Sequence, residues 1–112
     1  MTGIRDDILI SLDLETTGTN AKSDHIIEVG AVKFRGDEQI DTFSELVNPH
    51  RRLSSFIVGL TGINQSEVDS APDWDEVRPK LAEFISGVPI IGHNVGFDAS
   101  FLRSHKVFPD GV

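Results

Sequence analysis

The stretch "ILISLDLETTGTN", Ile8 to Asn20, sets two carboxylates at the end of an apolar run and follows them with a Thr-Thr-Gly turn. Ile8, Ile10, Leu12 and Leu14 recur at every second position, with Leu9, Ser11 and Asp13 between them, which is the period of a β-strand. On that period Asp13 and Glu15 project from the same face. Two like charges held so close repel unless one is protonated or a cation lies between them. Hard oxygen donors of this kind suit Mg²⁺ or Mn²⁺. In two-metal phosphoryl chemistry a pair of ions roughly 3.5–4 Å apart stabilises the attacking and leaving oxygens together. Taken alone, the pair reads more readily as a solvated strand end than as a metal site. A calcium loop starting at Asp13 is rejected, because position 12 is Asp24 rather than Glu and the preceding segment is a strand, not a helix.

Working outward, residues 25–35 and 39–48 read as two further strands, and the "GDEQ" turn between them predicts an antiparallel pair. Ser54 caps a short helix through Leu60, "TGIN" breaks it, and Asn64 caps another helical turn. Pro72-Asp73 opens a longer helix whose apolar stripe is Trp74, Val77, Leu81, Phe84 and Ile85, ending before Gly87. Pro79 inside it predicts a kink or a cost of about 3 kcal/mol. Residues 88–92, "VPIIG", form a fourth strand, apolar on both faces and therefore expected to be covered on both sides. Residues 97–105 are expected to be helical, with Phe97, Phe101 and Leu102 inward. Residues 1–7 read as a polar tail. The chain ends on "VFPDGV" with no further element, so residues 8–112 are expected to be the N-terminal two-thirds of a single domain.

The chain has 112 residues, enough for one core. Its apolar runs are far shorter than a membrane span, so no membrane partner is expected. There are no cysteines, which excludes disulfides, thiolate metal sites and a cysteine nucleophile and fits a cytoplasmic location. The net charge of −8 argues against a simple nucleic-acid-binding module. It does not argue against an enzyme that meets phosphate through bound cations.

A second polar cluster is "GHNVGFDASFL", residues 92–102, where His93 and Asn94 leave a strand and Asp98 enters the next helix. Ligands in α/β sheets gather at the carboxyl ends of strands. If the first and fourth strands are parallel neighbours, Asp98 faces Asp13 and Glu15. The bland alternative is that Asp98 only favours a helix N-terminus.

Together these residues resemble the DnaQ-like family of DEDD-type 3′–5′ exonucleases. The first family motif, D-x-E-T-T-G, matches Asp13 to Gly18. The second, H-N-x2-F-D-x2-F-L, matches His93, Asn94, Phe97, Asp98, Phe101 and Leu102. "IIEVGAV", "LVNP" and "LTGI" follow the family in order. The resemblance implies a ribonuclease-H-like α/β fold: three antiparallel strands, a fourth parallel to the first, and flanking helices. It implies phosphodiester hydrolysis at nucleic-acid 3′ ends, with two divalent cations, Mg²⁺ or Mn²⁺, held by Asp13, Glu15 and Asp98. Leu14, Thr16, Thr17 and Gly18 would meet the terminal nucleotide, Leu60, Thr61 and Ile63 its base, and His93, Asn94 and Phe97 would line the pocket. The implied partner is a single-stranded 3′ end, DNA ahead of RNA, beside a polymerase or helicase module. The family's third motif, which carries the general base (His or Tyr), has no counterpart here. Little activity is therefore expected of the 112 residues alone, and a catalytically silent module binding nucleic-acid ends or a polymerase or helicase partner is the alternative. Glu28 reads as structural, and Arg51 and Arg52 as a solvated loop.

Overall fold

The computed structural model describes residues 8–91 and 95–105. Strands β1 (Ile8–Thr16), β2 (Ile26–Arg35) and β3 (Glu38–Leu46) are followed by helices α1 (Ser55–Thr61), α2 (Gln65–Asp69) and α3 (Trp74–Ile85). A two-residue strand β4 (Ile90–Ile91) and helix α4 (Val95–Ser104) complete the order. The sheet runs β3-β2-β1-β4. β1–β2 and β2–β3 are antiparallel, while β4 lies parallel to β1 with Ile90 opposite Ile10 and Ile91 opposite Ser11. This is the mixed sheet that the resemblance implies.

The two faces of the sheet follow from side-chain alternation. Leu12 is paired with Ala31 and Leu14 with Val29, and with Ile10 these side chains are buried in the main core. Helix α3 covers that face with Val77, Leu81 and Ile85, and α4 with Phe101 and Leu102. Phe43, opposite Ala31, carries the layer onto β3 and meets Phe84 at 5.6 Å between rings, with the Lys33 ammonium 4.3 Å above Phe84.

The opposite face carries Asp13 and Glu15. Strict alternation fails at one point on β2. Thr16 is opposite Ile26 while Glu15 is opposite Glu28, so Ile27 is an extra residue, a β-bulge. Ile26 and Val29 both enter the main core although three positions apart, which puts Ile27 and Glu28 together on the carboxylate face. Ile27 there seeds a second core with Leu53, Ile57, Ile63 and Val68, flanked by Leu46 and Val58. Through it, α1 and α2 are seated on the face that bears the acids.

Local chemistry explains the helix ends. The Ser54 hydroxyl accepts the Ile57 N–H at 3.2 Å, and α1 stops where Gly62 takes φ 76 and its N–H bonds the Val58 carbonyl. At α2 the Asn64 N–H donates to the Glu67 carboxylate at 2.9 Å, half of a capping box. Asp73 precedes α3 but its side chain does not cap it; the carboxylate pairs instead with His50 Nε2 at 2.5 Å. Pro79 does not end α3, which continues through it to Ile85. The expected fourth strand shortens to Ile90–Ile91, and instead of being flanked it lies at the edge of the described sheet with Ile91 48% exposed.

Candidate active site

Asp13 and Glu15 lie in the last four residues of β1, opposite Gly30 and Glu28 of β2. Gly30 carries no side chain beside Asp13, where a β-carbon would make only an ordinary contact with the Asp13 carbonyl at 3.9 Å, and Asp13 is exposed. Glu15 is half-buried, and its pKa is raised above 4.5 by that burial first, then by the charges of Asp13 and Glu28. Three carboxylates thus share one patch. Glu28, read from the sequence as structural, is the third member; it pairs with Glu15 in the same unbroken register that sets Gly30 opposite Asp13, a cross-strand alignment that alternation along β2 alone does not give.

The Thr-Thr-Gly turn is organised by Asp24. The Asp24 carboxylate accepts from the Asn20 N–H at 2.9 Å and from the Thr17 hydroxyl at 3.3 Å, and the Asp24 N–H donates to the Asn20 carbonyl at 2.7 Å. The Thr17 N–H donates to the His25 carbonyl at 2.8 Å, and the Thr17 hydroxyl accepts the His25 N–H at 2.9 Å. The Thr16 hydroxyl donates to the Gly18 carbonyl at 2.6 Å. A β-carbon on Gly18 would lie 2.5 Å from an Asp24 carboxylate oxygen, so glycine is needed there for space. The threonine hydroxyls are therefore occupied within the turn.

The remaining expected contacts fall in different places. Leu14 is buried in the main core, so only its backbone faces the acids' surroundings. Ile63 is buried in the second core. The Thr61 hydroxyl donates to the Ile57 carbonyl at 2.8 Å and accepts the Ile63 N–H at 3.1 Å. Leu60 is 68% exposed, the one side chain of that trio open to a ligand. Phe97 and Asp98 belong to α4, but their side chains, like His93 and Asn94, lie outside the described residues. β4, hydrogen-bonded parallel to β1 beside Ser11, directs the chain toward the end of the sheet that carries Asp13 and Glu15, and α4 starts four residues later.

Apart from this patch, a cavity of about 440 Å³ opens between His25, Asn48, His50, Arg51, Trp74 and His105. His105 closes α4 there: its ring stacks on Phe101 at 5.7 Å, its Nδ1 bonds the Phe101 carbonyl, and its own carbonyl accepts the Trp74 Nε1–H at 3.0 Å. Burial lowers the His25 pKa, with Arg51 and His105 adding to the effect against Asp24. Neither Asp13 nor Glu15 lines this cavity.

The hard-oxygen character of the patch is of the kind Mg²⁺ or Mn²⁺ takes, and the charges of Asp13 and Glu28 that help raise the Glu15 pKa are ones a cation would offset. Among the described residues, no group of three or more His, Cys, Asp or Glu side chains converges to hold an ion.

A mixed sheet of this order, with an acidic pair on its central parallel strand, defines a ribonuclease-H-like nuclease fold. A family model described as "Exonuclease" matches residues 10–107. The chain is 47% identical over 95 residues to a PolC-type DNA polymerase III of Caldanaerobacter subterraneus subsp. tengcongensis, covering 85% of this chain and 7% of that protein. It is 41% identical over 100 residues to the PolC-type enzyme of Bacillus subtilis, covering 89% and 7%. The chain thus spans about 7% of the length of these polymerases. Among solved structures, product-bound exonuclease I superposes with a TM-score of 0.78 at 20% identity, covering 88% of this chain and 24% of that one. The nuclease domain of 3′hExo, described as a DEDDh family member bound to rAMP, gives a TM-score of 0.74 at 27% identity over 88% and 57%. The chain belongs to the DnaQ-like, DEDD-type exonuclease family.

Proposed function

We propose that these residues form the metal-dependent core of a 3′–5′ exonuclease acting on single-stranded ends, DNA ahead of RNA, in the cytoplasm and beside a polymerase module. The observation that carries the reading is the patch of Asp13 and Glu15 at the end of β1, with Glu28 opposite Glu15 and the Glu15 pKa raised by burial and by its acidic neighbours. Asp13, Glu15 and Asp98 would hold two divalent cations. Once bound, such cations stabilise the developing charge on the scissile phosphate and acidify the attacking water. Asp13, exposed and opposite Gly30, is the carboxylate a phosphate can approach. The Asp24-braced turn from Thr16 to Gly18 offers a fixed backbone to a terminal nucleotide, and Leu60 an apolar surface to its base. The same reading implies little turnover by the 112 residues alone, since the family places its water-activating base in a third motif that they do not hold.

Thermal melting against Mn²⁺ checks the proposal. At a hundredfold excess over the dissociation constant, binding to the folded chain adds about 2.7 kcal/mol. Asp13→Asn should remove that gain while leaving the metal-free melting point unchanged or slightly higher. A wild-type chain indifferent to Mn²⁺, or a variant that gains as much as wild type, would sink it.

A further inference from the structure

Helix α1 contains no charged residue, in a chain whose net charge is −8. Its sequence, Ser55-Phe56-Ile57-Val58-Gly59-Leu60-Thr61, buries Ile57 in the second core and leaves Phe56 72% and Leu60 68% exposed. These are the two most exposed of the large apolar side chains among the described residues. Four positions apart on a helix, they are neighbours on one face. Nothing in the second core needs them: that cluster is complete with Ile27, Leu53, Ile57, Ile63 and Val68.

The place of this face is fixed by the sheet. Glu28 pairs in register with Glu15 on one side and with Leu46 on the other, so the three form a row across the carboxylate face. Adjacent strands are about 4.8 Å apart, which puts Leu46 roughly 10 Å from Glu15. Leu46 packs against the core under α1. Helix α1, and with it the exposed face, is therefore seated on the side of the sheet that carries the carboxylates.

The charge beside it is also unusual. Arg51 and Arg52 are the only adjacent basic residues in the sequence, and both are exposed just ahead of the capping Ser54. Gln65 holds their backbone: its Oε1 accepts the Leu53 N–H at 2.6 Å and its Nε2 donates to the Arg51 carbonyl at 3.1 Å. Arg51 acts on His25; neither arginine makes an ion pair among the described residues.

We infer that Phe56 and Leu60 are a two-base platform for a single-stranded nucleic acid, with Arg52 meeting its phosphates. This rests on the proposed exonuclease reading and adds Phe56 as a residue that grips the strand away from the scissile bond. Side chains four apart on a helix have β-carbons about 5–6 Å apart. Stacked nucleotides advance roughly 3.4 Å along one strand. The platform therefore suits bases drawn apart from one another, as in a frayed single strand, better than a stacked duplex. Aromatic stacking is tolerant of base identity, so the platform confers strand selectivity and not sequence selectivity.

The test is fluorescence anisotropy of the whole chain with a labelled single-stranded oligothymidylate in Ca²⁺. Loss of one base–aromatic stack predicts that Phe56→Ala weakens binding about 5- to 150-fold. Phe56→Trp should restore it, and Arg52→Ala should lower the slope of log affinity against log salt by about 0.7. A largely solvent-exposed phenyl ring leaves the fold intact on removal, which circular dichroism would verify. Wild-type affinity in Phe56→Ala overturns the platform and leaves the exonuclease reading standing. No oligonucleotide binding by wild type overturns both. A dimer in wild type that Phe56→Ala dissociates, with oligonucleotide affinity unchanged, would assign the face to a second copy of the chain and also overturn the inference.

Discussion

Glu28→Gln is the substitution that most directly interrogates the carboxylate patch. Glu28 and Glu15 are directly opposite on an antiparallel pair, where β-carbons are about 4.5–5.5 Å apart. Their carboxylates then sit roughly 6 Å apart, and Coulomb's law gives about 0.7 kcal/mol of repulsion at the dielectric of water and about 2.8 kcal/mol at an effective value of 20. Both side chains are only half-buried, so the lower figure governs, in keeping with the ~0.2–1 kcal/mol typical of cross-strand pairs. Metal-free Glu28→Gln should accordingly melt roughly 2–5 °C above wild type at neutral pH. The pH dependence has a definite sign. Glu15 has a raised pKa in the folded chain, so the folded state keeps its proton to higher pH than the unfolded state does. Stability is then lost as pH rises from the ordinary value of 4.5 through the folded value, and relieving the repulsion helps most above that window. Below it Glu15 is protonated and the two proteins should melt together. With Mn²⁺ present, wild type should gain more than the variant, because the cation turns mutual repulsion into common attraction. The reasoning fails if Glu28→Gln lowers metal-free stability, or if its gain is as large at pH 3.5 as at pH 7.5.

Two further substitutions test the frame. Pro79 is exposed in the interior of α3 and cannot donate a hydrogen bond to the carbonyl one turn back; Pro79→Ala should stabilise the chain by about 1–3 kcal/mol in urea unfolding, and a loss would mean the proline ring is itself packed usefully. Ile63→Ala should cost about 2–5 kcal/mol in the same assay, the price of emptying the second core; an undiminished stability would return Ile63 to the list of ligand contacts.

Much of the architecture could be read from residue patterns. The alternation from Ile8 to Leu14 places β1 and both acids on the correct faces, and Ser54, Asn64 and Asp73 mark three helix starts to the residue. The shortfalls have physical causes. The span 88–92 has the composition of a buried strand, yet among the described residues the strand itself is only Ile90–Ile91, with the Pro89 carbonyl also accepting the Ile10 N–H at 2.9 Å, because pairing is decided by the neighbour and not by propensity. Pro79 was expected to disturb α3, but Val77, Leu81 and Ile85 anchor the helix on both sides of it. The role of Asp24 depends on a loop closing back on itself, which no local period encodes. The nearness of Glu28 to Glu15 rests on how β1 and β2 align, which alternation within either strand does not give; the extra residue, Ile27, lies just beyond that pair.

That extra residue makes the N-terminal end of β2 intolerant of length change. Removing Ile27 would restore an unbroken zigzag and rotate His25 and Asp24 by half a turn about the strand, withdrawing the carboxylate that braces Thr17 and Asn20. It would also empty the anchor on which the second helical layer sits. Insertions and deletions should therefore be accommodated in the tip at Gly36 and Asp37, where only a turn is at stake, and be ruinous at Ile26–Glu28. A one-residue irregularity thus couples the spacing of the chain to the orientation of the loop that Asp24 braces.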